Sequence, residues 1–172
     1  MYPKITLLLL SILLPSSLFA LSTDSEQQIK IEADKATIDN VKGLAIYEGN
    51  VIVTQGSIHI NANTVTLNYT QKTGIEKVVA VGKPARFKQR LDRGDDIKAN
   101  AWKMEYNAVK NRLHLTKKAE LRKEKNGIAI YTAKASHISY DTQGGIIQAD
   151  KGNSKTERIV ITIEPPKKSS YK

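Results

Sequence analysis

The sequence predicts an all-β protein: an elongated, open stack of antiparallel strands bent along a crease, with apolar residues lining the inside. Three observations carry this expectation. A short pattern returns four times, each copy alternates apolar and polar residues with period two, and each copy contains one step of three. Recurring units of this size stack on one another and share a continuous core. Period two makes the units strands, because successive side chains of a strand point to opposite faces.

The copies occupy residues 29–38, 58–69, 97–106 and 131–140. With Ala33, Ala62, Ala99 and Ala133 taken as equivalent, they lie 29, 37 and 34 residues apart. Return limbs follow at 45–55, 79–89 and 113–121. In these, Val51, Ala85 and Ala119 recur at 34 residues, as do Val53, Phe87 and Leu121. The fourth copy returns through Ile146, Ile147 and Ala149 and closes with Ile159-Val160-Ile161-Thr162-Ile163. Turn-forming residues separate the limbs: Asp39-Asn40, Lys42-Gly43, Thr73-Gly74, the stretch from Asn107 to Asn111, and Gly144-Gly145. No stretch sustains a helical period.

The step of three is assigned to Ala33–Ala36, Ala62–Val65, Ala99–Trp102 and Ala133–Ser136. In a flat strand it would turn the second half to the wrong face, so a bulge or corner must absorb the extra residue. Similar irregularities fall at Gly49, Gly82-Lys83-Pro84 and Thr116-Lys117-Lys118 in the return limbs. Stacked corners would crease the sheet into two half-sheets that face each other, with Trp102 on the inner side.

Residues 1–22 read as a signal peptide: Lys4, a ten-residue apolar run too short to span a bilayer, and cleavage after Ala20 or Ser22. Residues 23–164 form the β domain, and residues 165–172 a disordered basic tail. The chain has 172 residues, no cysteine and a formal net charge of +10. It therefore has no disulfide framework and no thiol nucleophile, while the charge favours an anionic partner. Export argues against nucleic acid as that partner.

Reactive motifs are missing: no GxSxG, P-loop or HExxH occurs, and no cofactor is expected. His59, His114 and His137 take outward positions on separate limbs. Asp92, Asp95 and Asp96 beside Arg90 and Arg93 read either as a charged cap or as a paired-carboxylate site. The stripe of Arg86, Lys88, Lys117, Lys118, Arg122, Lys123 and Lys125 reads either as strand-edge protection or as contact with phosphates. Alternation alone places Ile31, Ile38, Leu67, Met104, Leu121 and Ile138 inward.

Several segments resemble the LptA (OstA-like) family of periplasmic lipopolysaccharide transport proteins: Gly49-Asn50-Val51-Ile52-Val53-Thr54-Gln55-Gly56, Ile60-Asn61-Ala62 and Gly82-Lys83-Pro84-Ala85. The motifs Ile29-Lys30-Ile31-Glu32-Ala33-Asp34, Met104-x-Tyr106 and Asp150-Lys151-Gly152 follow in that family's order. The resemblance implies an open β-jelly roll whose interior takes the acyl chains of lipid A, with Ile29, Phe87 and Tyr106 among the lipid contacts. It also implies a periplasmic, non-enzymatic bridge. The implied partners are lipopolysaccharide, an inner-membrane LptC-type component and an outer-membrane LptD-type component, and because an open stack leaves its first and last strands unpaired, further copies are expected to join head to tail. Ile29, Ile31 and Ala33 would form one partner edge, and Ile159, Ile161 and Ile163 the other. Two readings compete with this one: an exported adaptor with a packed interior, and a binder of another anionic polymer.

Overall fold

A computed structural model describes residues 23–91, 94–153 and 157–165. The expected signal peptide at residues 1–22, Asp92 and Arg93, residues 154–156 and the tail from residue 166 lie outside the described residues. A 3-10 turn, Thr23–Glu26, precedes β1 (Ile29–Glu32), β2 (Lys35–Asp39), β3 (Leu44–Gln55), β4 (Ile58–Thr70), β5 (Gly74–Arg90) and β6 (Asp95–Asn107). Then come β7 (Arg112–Lys125), β8 (Ile128–Asp141), β9 (Ile147–Asp150) and β10 (Val160–Ile163). Among the described residues these ten strands make one open, wholly antiparallel sheet.

The strands from β3 to β8 form a simple meander, and each terminal layer is split in two. At one end β1 and β2 pair with the two halves of β3. At the other, β10 and β9 pair with the two halves of β8. Turn chemistry fixes the register. The Asp39 carboxylate accepts hydrogen bonds from the backbone N–H groups of Val41 and Lys42 at 3.1 and 3.0 Å, closing the β2–β3 turn. Gly43 follows with φ +61°, and any side chain there would collide with the Tyr69 carbonyl oxygen.

Register shifts line up across the sheet between Glu48 and Val51, Asn61 and Thr64, Val81 and Ala85, Asn100 and Lys103, and Thr116 and Ala119. This is the crease. Inside it small residues stand opposite one another, as in the pairs Ala85–Ala101 and Ala119–Ala135. All four are buried. The inner angle of a folded sheet leaves no room for larger side chains, so alanines mark the corner.

The expected positions of the corner are right in β4 and off by two residues in β6 and β8. Ala101 and Met104, not Ala99 and Trp102, bracket the inward step in β6, and Ala135 and Ile138 do so in β8. Trp102 therefore stands outside the crease, between Lys83 and Lys118. In both strands two consecutive inward positions are Ala, so the sequence offers two equally small candidates for the corner. The return-limb irregularities fall at the observed shifts. There, successive residues adopt left-handed backbone: Gly49-Asn50 in β3 and Lys117-Lys118 in β7.

Between the half-sheets, Val51, Val65, Ile97, Leu115, Leu121 and Ile138 are completely buried. Tyr140 lies in the same core, and burial pushes its phenol up to about 12. Burial also raises Tyr131. An unfolded tyrosine ionises near pH ~10, so these phenols hold their protons more tightly in the folded state. Their contribution is intact below that pH and is lost as pH climbs towards the folded value. Thermal melts should show stability falling from about pH 10 upwards, and Tyr140→Phe should flatten the fall. An unchanged alkaline slope in the Phe variant would refute the assignment.

Candidate functional site: the apolar inner face

Cross-strand pairing joins the inward side chains into rows that run the length of the stack. One row links Ile31, Val53, Ile60, Phe87, Ala99, Leu121, Ala133 and Ile161. On the facing half-sheet a second links Ala36, Tyr47, Val65, Ala80, Met104, Leu115, Ile138 and Ala149. Beside it a third links Ile38, Ala45, Leu67, Val78, Tyr106, Leu113, Tyr140 and Ile147. Ile29 lies one inward position beyond the first row, opposite Gln55.

Along these rows exposure falls towards the middle and rises at both ends. Leu67, Met104, Leu121 and Ile138 are buried, Ile31, Phe87 and Tyr106 are half-buried, and Ile29 and Ile38 are 38% and 57% exposed. The middle is thus packed core rather than an open channel. Apolar faces left to themselves close to crystal-like density. Near the carboxyl end they do not close fully: Tyr131, Ala133, Ile147, Ala149, Ile159 and Ile161 line a cleft of about 360 Å³. The split into β9 and β10 creates it. Alternation within single strands does not reveal such a cleft, because its walls come from β8 together with the segments of β9 and β10, which are not adjacent in sequence.

The terminal edges are exposed. Every residue of β10 is exposed, and its Ile161 and Ile163 are 52% and 74% accessible. Ala33 sits at the corner between β1 and β2. Beside it, the Asp34 N–H donates to the Glu48 and Gly49 carbonyls at 3.1 Å, and its carboxylate accepts from Asn50 Nδ2 at 2.9 Å.

A clamp that sequence patterning missed closes the bottom of the first half-sheet. Buried Asp24 accepts hydrogen bonds from Ser57 N at 2.7 Å, Ser57 Oγ at 2.8 Å and Gln89 Nε2 at 3.2 Å. It ties the start of the domain to the β3–β4 turn and to the end of β5. An acidic residue in the polar stretch ahead of β1 gives no local sign of such distant partners.

The described charged groups near residue 95 are in ion pairs. A hydrogen bond from Arg90 Nε at 3.0 Å holds the Asp96 carboxyl below its ordinary range, with Lys88 adding to the effect. Asp95 turns instead to Lys123 at 2.9 Å. The two carboxylates thus serve different cations, the charged-cap arrangement rather than a shared acid–base site. Among the described residues no three His, Cys, Asp or Glu side chains gather as a metal site. His59 and His114 are exposed, and His137 lies 3.6 Å from Asp150. No described helix is long and apolar enough to cross a membrane.

Residues 30–146 match the family described as "LptA/(LptD N-terminal domain) LPS transport protein". The chain is 38% identical over 160 residues to lipopolysaccharide export system protein LptH of Pseudomonas aeruginosa, covering 90% of this chain and 89% of that one. It is 35% identical over 162 residues to LptA of Escherichia coli K12, covering 91% and 85% of the two chains. The crystal structure of the Pseudomonas LptH, "the LptA homologous periplasmic component of the conserved lipopolysaccharide transport device", superposes with a TM-score of 0.72 at 36% identity. That match covers 83% of this chain and 99% of the LptH chain in the crystal structure. The open antiparallel fold is the one LptH adopts. These relatives are transport proteins, and this chain is likewise not an enzyme.

Proposed function

Because the chain belongs to the LPS transport family of LptA and the LptD amino-terminal domain, we propose that it is a periplasmic bridge that shields the acyl chains of lipid A between the inner and outer membranes. One observation carries this reading: three apolar rows on the inner face run unbroken from one exposed end to the other. Each methylene taken out of water gains about 0.8 kcal/mol, so several acyl chains need a covered path. Such a path requires no reactive residue. In this reading the chains enter where the rows are exposed, at Ile29, Ile31 and Ile38 or at the carboxyl-end cleft. They then part the half-sheets over Phe87, Met104, Tyr106 and Leu121. The β1–β2 edge, with Ala33 at its corner, receives an LptC-type inner-membrane component. The β10 edge, through Ile159, Ile161 and Ile163, receives an LptD-type component or another copy.

A packed middle, with Leu121 and Ile138 buried, favours the competing reading of an adaptor that carries no lipid. Photo-crosslinking separates the two. A probe at half-buried Phe87 or Tyr106 should label lipopolysaccharide in the native host, while a probe at outward Lys88 should not. Labelling at Lys88 equal to that at Phe87 would replace the groove with surface binding. No labelling inside would leave the adaptor.

A further inference from the structure

On the outside of the crease, away from the inner rows, β5 and β7 present unmatched cations on either side of Trp102 in β6. Lys83 of β5 and Lys118 of β7 place their ammonium groups 5.9 and 5.1 Å from the ring centre of Trp102 in β6. Since β5 and β7 flank β6, the ring meets one ammonium from each neighbour and holds both by cation–π attraction. Arg86 of β5 and Lys117 of β7 are further exposed cations of the same two strands.

Two features set this cluster apart from ordinary surface charge. The first is compensation. Elsewhere on the outer face Lys77 and Lys103 are matched by Glu105, Lys88 and Arg90 by Asp96, and Lys98 and Arg122 by Glu124. Of the cations within the ten strands, only Lys83, Arg86, Lys117, Lys118 and, at the far end of β7, Lys125 have no carboxylate within ion-pair distance among the described residues. The second is backbone conformation. Lys117 and Lys118 have φ of +64° and +50°, where the corresponding bulge of β3 uses Gly49 and Asn50. Glycine and asparagine suit left-handed backbone and lysine does not, so two successive lysines are held at an energetic cost.

We propose that this spine is a docking surface for an anionic phospholipid bilayer. Neighbouring strands are about 4.8 Å apart, so the backbones of β5 and β7 that carry these cations stand roughly 10 Å apart on either side of β6. That spread matches a field of repeated phosphates better than one compact anion. Lipid held between the half-sheets lies across the sheet from these side chains, so the spine serves a separate anionic surface. Docking there leaves both ends and both terminal edges free. The inference rests on outer-face residues alone and stands or falls apart from the lipid-carrier reading.

The test uses the mature chain in co-sedimentation with phosphatidylcholine vesicles, with and without phosphatidylglycerol. The protein should bind only the anionic vesicles, less so as salt rises. The variant K83Q/K117N/K118N removes three charges while placing residues suited to left-handed backbone at the bulge. It should lose roughly a hundredfold in vesicle affinity and melt no lower than the parent chain. K72Q/K110Q/K151Q, with equal charge loss on connecting segments, should retain binding. Equal loss in this control would reduce the effect to net charge and overturn the site. So would undiminished binding by the spine variant, or release of the vesicles by inorganic phosphate at matched ionic strength.

Discussion

Leu121→Ala should destabilise the protein by about 2–5 kcal/mol, whereas Ile161→Ala should cost less than about 1 kcal/mol. Both residues belong to the same inward row, joined through Ala133. Leu121 is completely buried and Ile161 is half in solvent. Truncating Leu121 removes transfer free energy and leaves a cavity that neighbours fill only in part. Truncating Ile161 removes side chain that water already touches. Urea denaturation of the two variants measures the difference. Near-equal small costs would mean that the middle is already open and that the closed interior is wrong. The contrast bears on function, because a lipid chain entering the middle must displace contacts of this strength while one entering at an end displaces few. In the proposed carrier, the methylene contacts that the half-sheets give up would be recovered against the acyl chain.

Period two in every limb makes the strands legible, and the return-limb irregularities mark the crease in the sequence itself. That worked because a bulge needs residues tolerant of unusual backbone, and Gly49-Asn50 and Gly82-Lys83-Pro84 advertise it. The corner was misplaced in β6 and β8 because Ala99 and Ala101, like Ala133 and Ala135, are interchangeable to a pattern. Only pairing with Ala85 and Ala119 identifies the second of each as the corner. From that error followed the inward placement of Trp102. Exposure along the rows was not legible at all. Ile38 and Ile138 look alike in an alternation, yet one lies in a terminal layer and the other has a strand on both sides. Burial is set by the number of layers on either side, a property of the stack and not of the strand. The Asp24 clamp was hidden for a related reason: its partners, Ser57 and Gln89, are 33 and 65 residues away.

A copy lacking residues 158–172 should act as a chain stopper for the intact protein. The exposed β10 edge and the exposed β1 edge carry the same alternation, Ile161-Thr162-Ile163-Glu164 and Ile29-Lys30-Ile31-Glu32. Antiparallel pairing with Ile161 opposite Ile31 would set Ile163 opposite Ile29 and carry the first inward row from one copy into the next. Such a contact joins different surfaces of the two partners, so it does not close on itself, and assembly should grow with concentration. The truncated copy keeps its β1–β2 edge and loses the other. β10 pairs only with residues 131–134 of β8, and all of it is exposed, so its removal should leave the core folded. Alone, the truncated copy should stay monomeric in light scattering. Mixed with intact protein in small proportion, it should cap growing chains and lower their mean mass, whereas a deletion that merely weakened folding would leave the intact protein's assembly unchanged. Oligomers of the truncated chain with undiminished size and concentration dependence would refute edge pairing through β10.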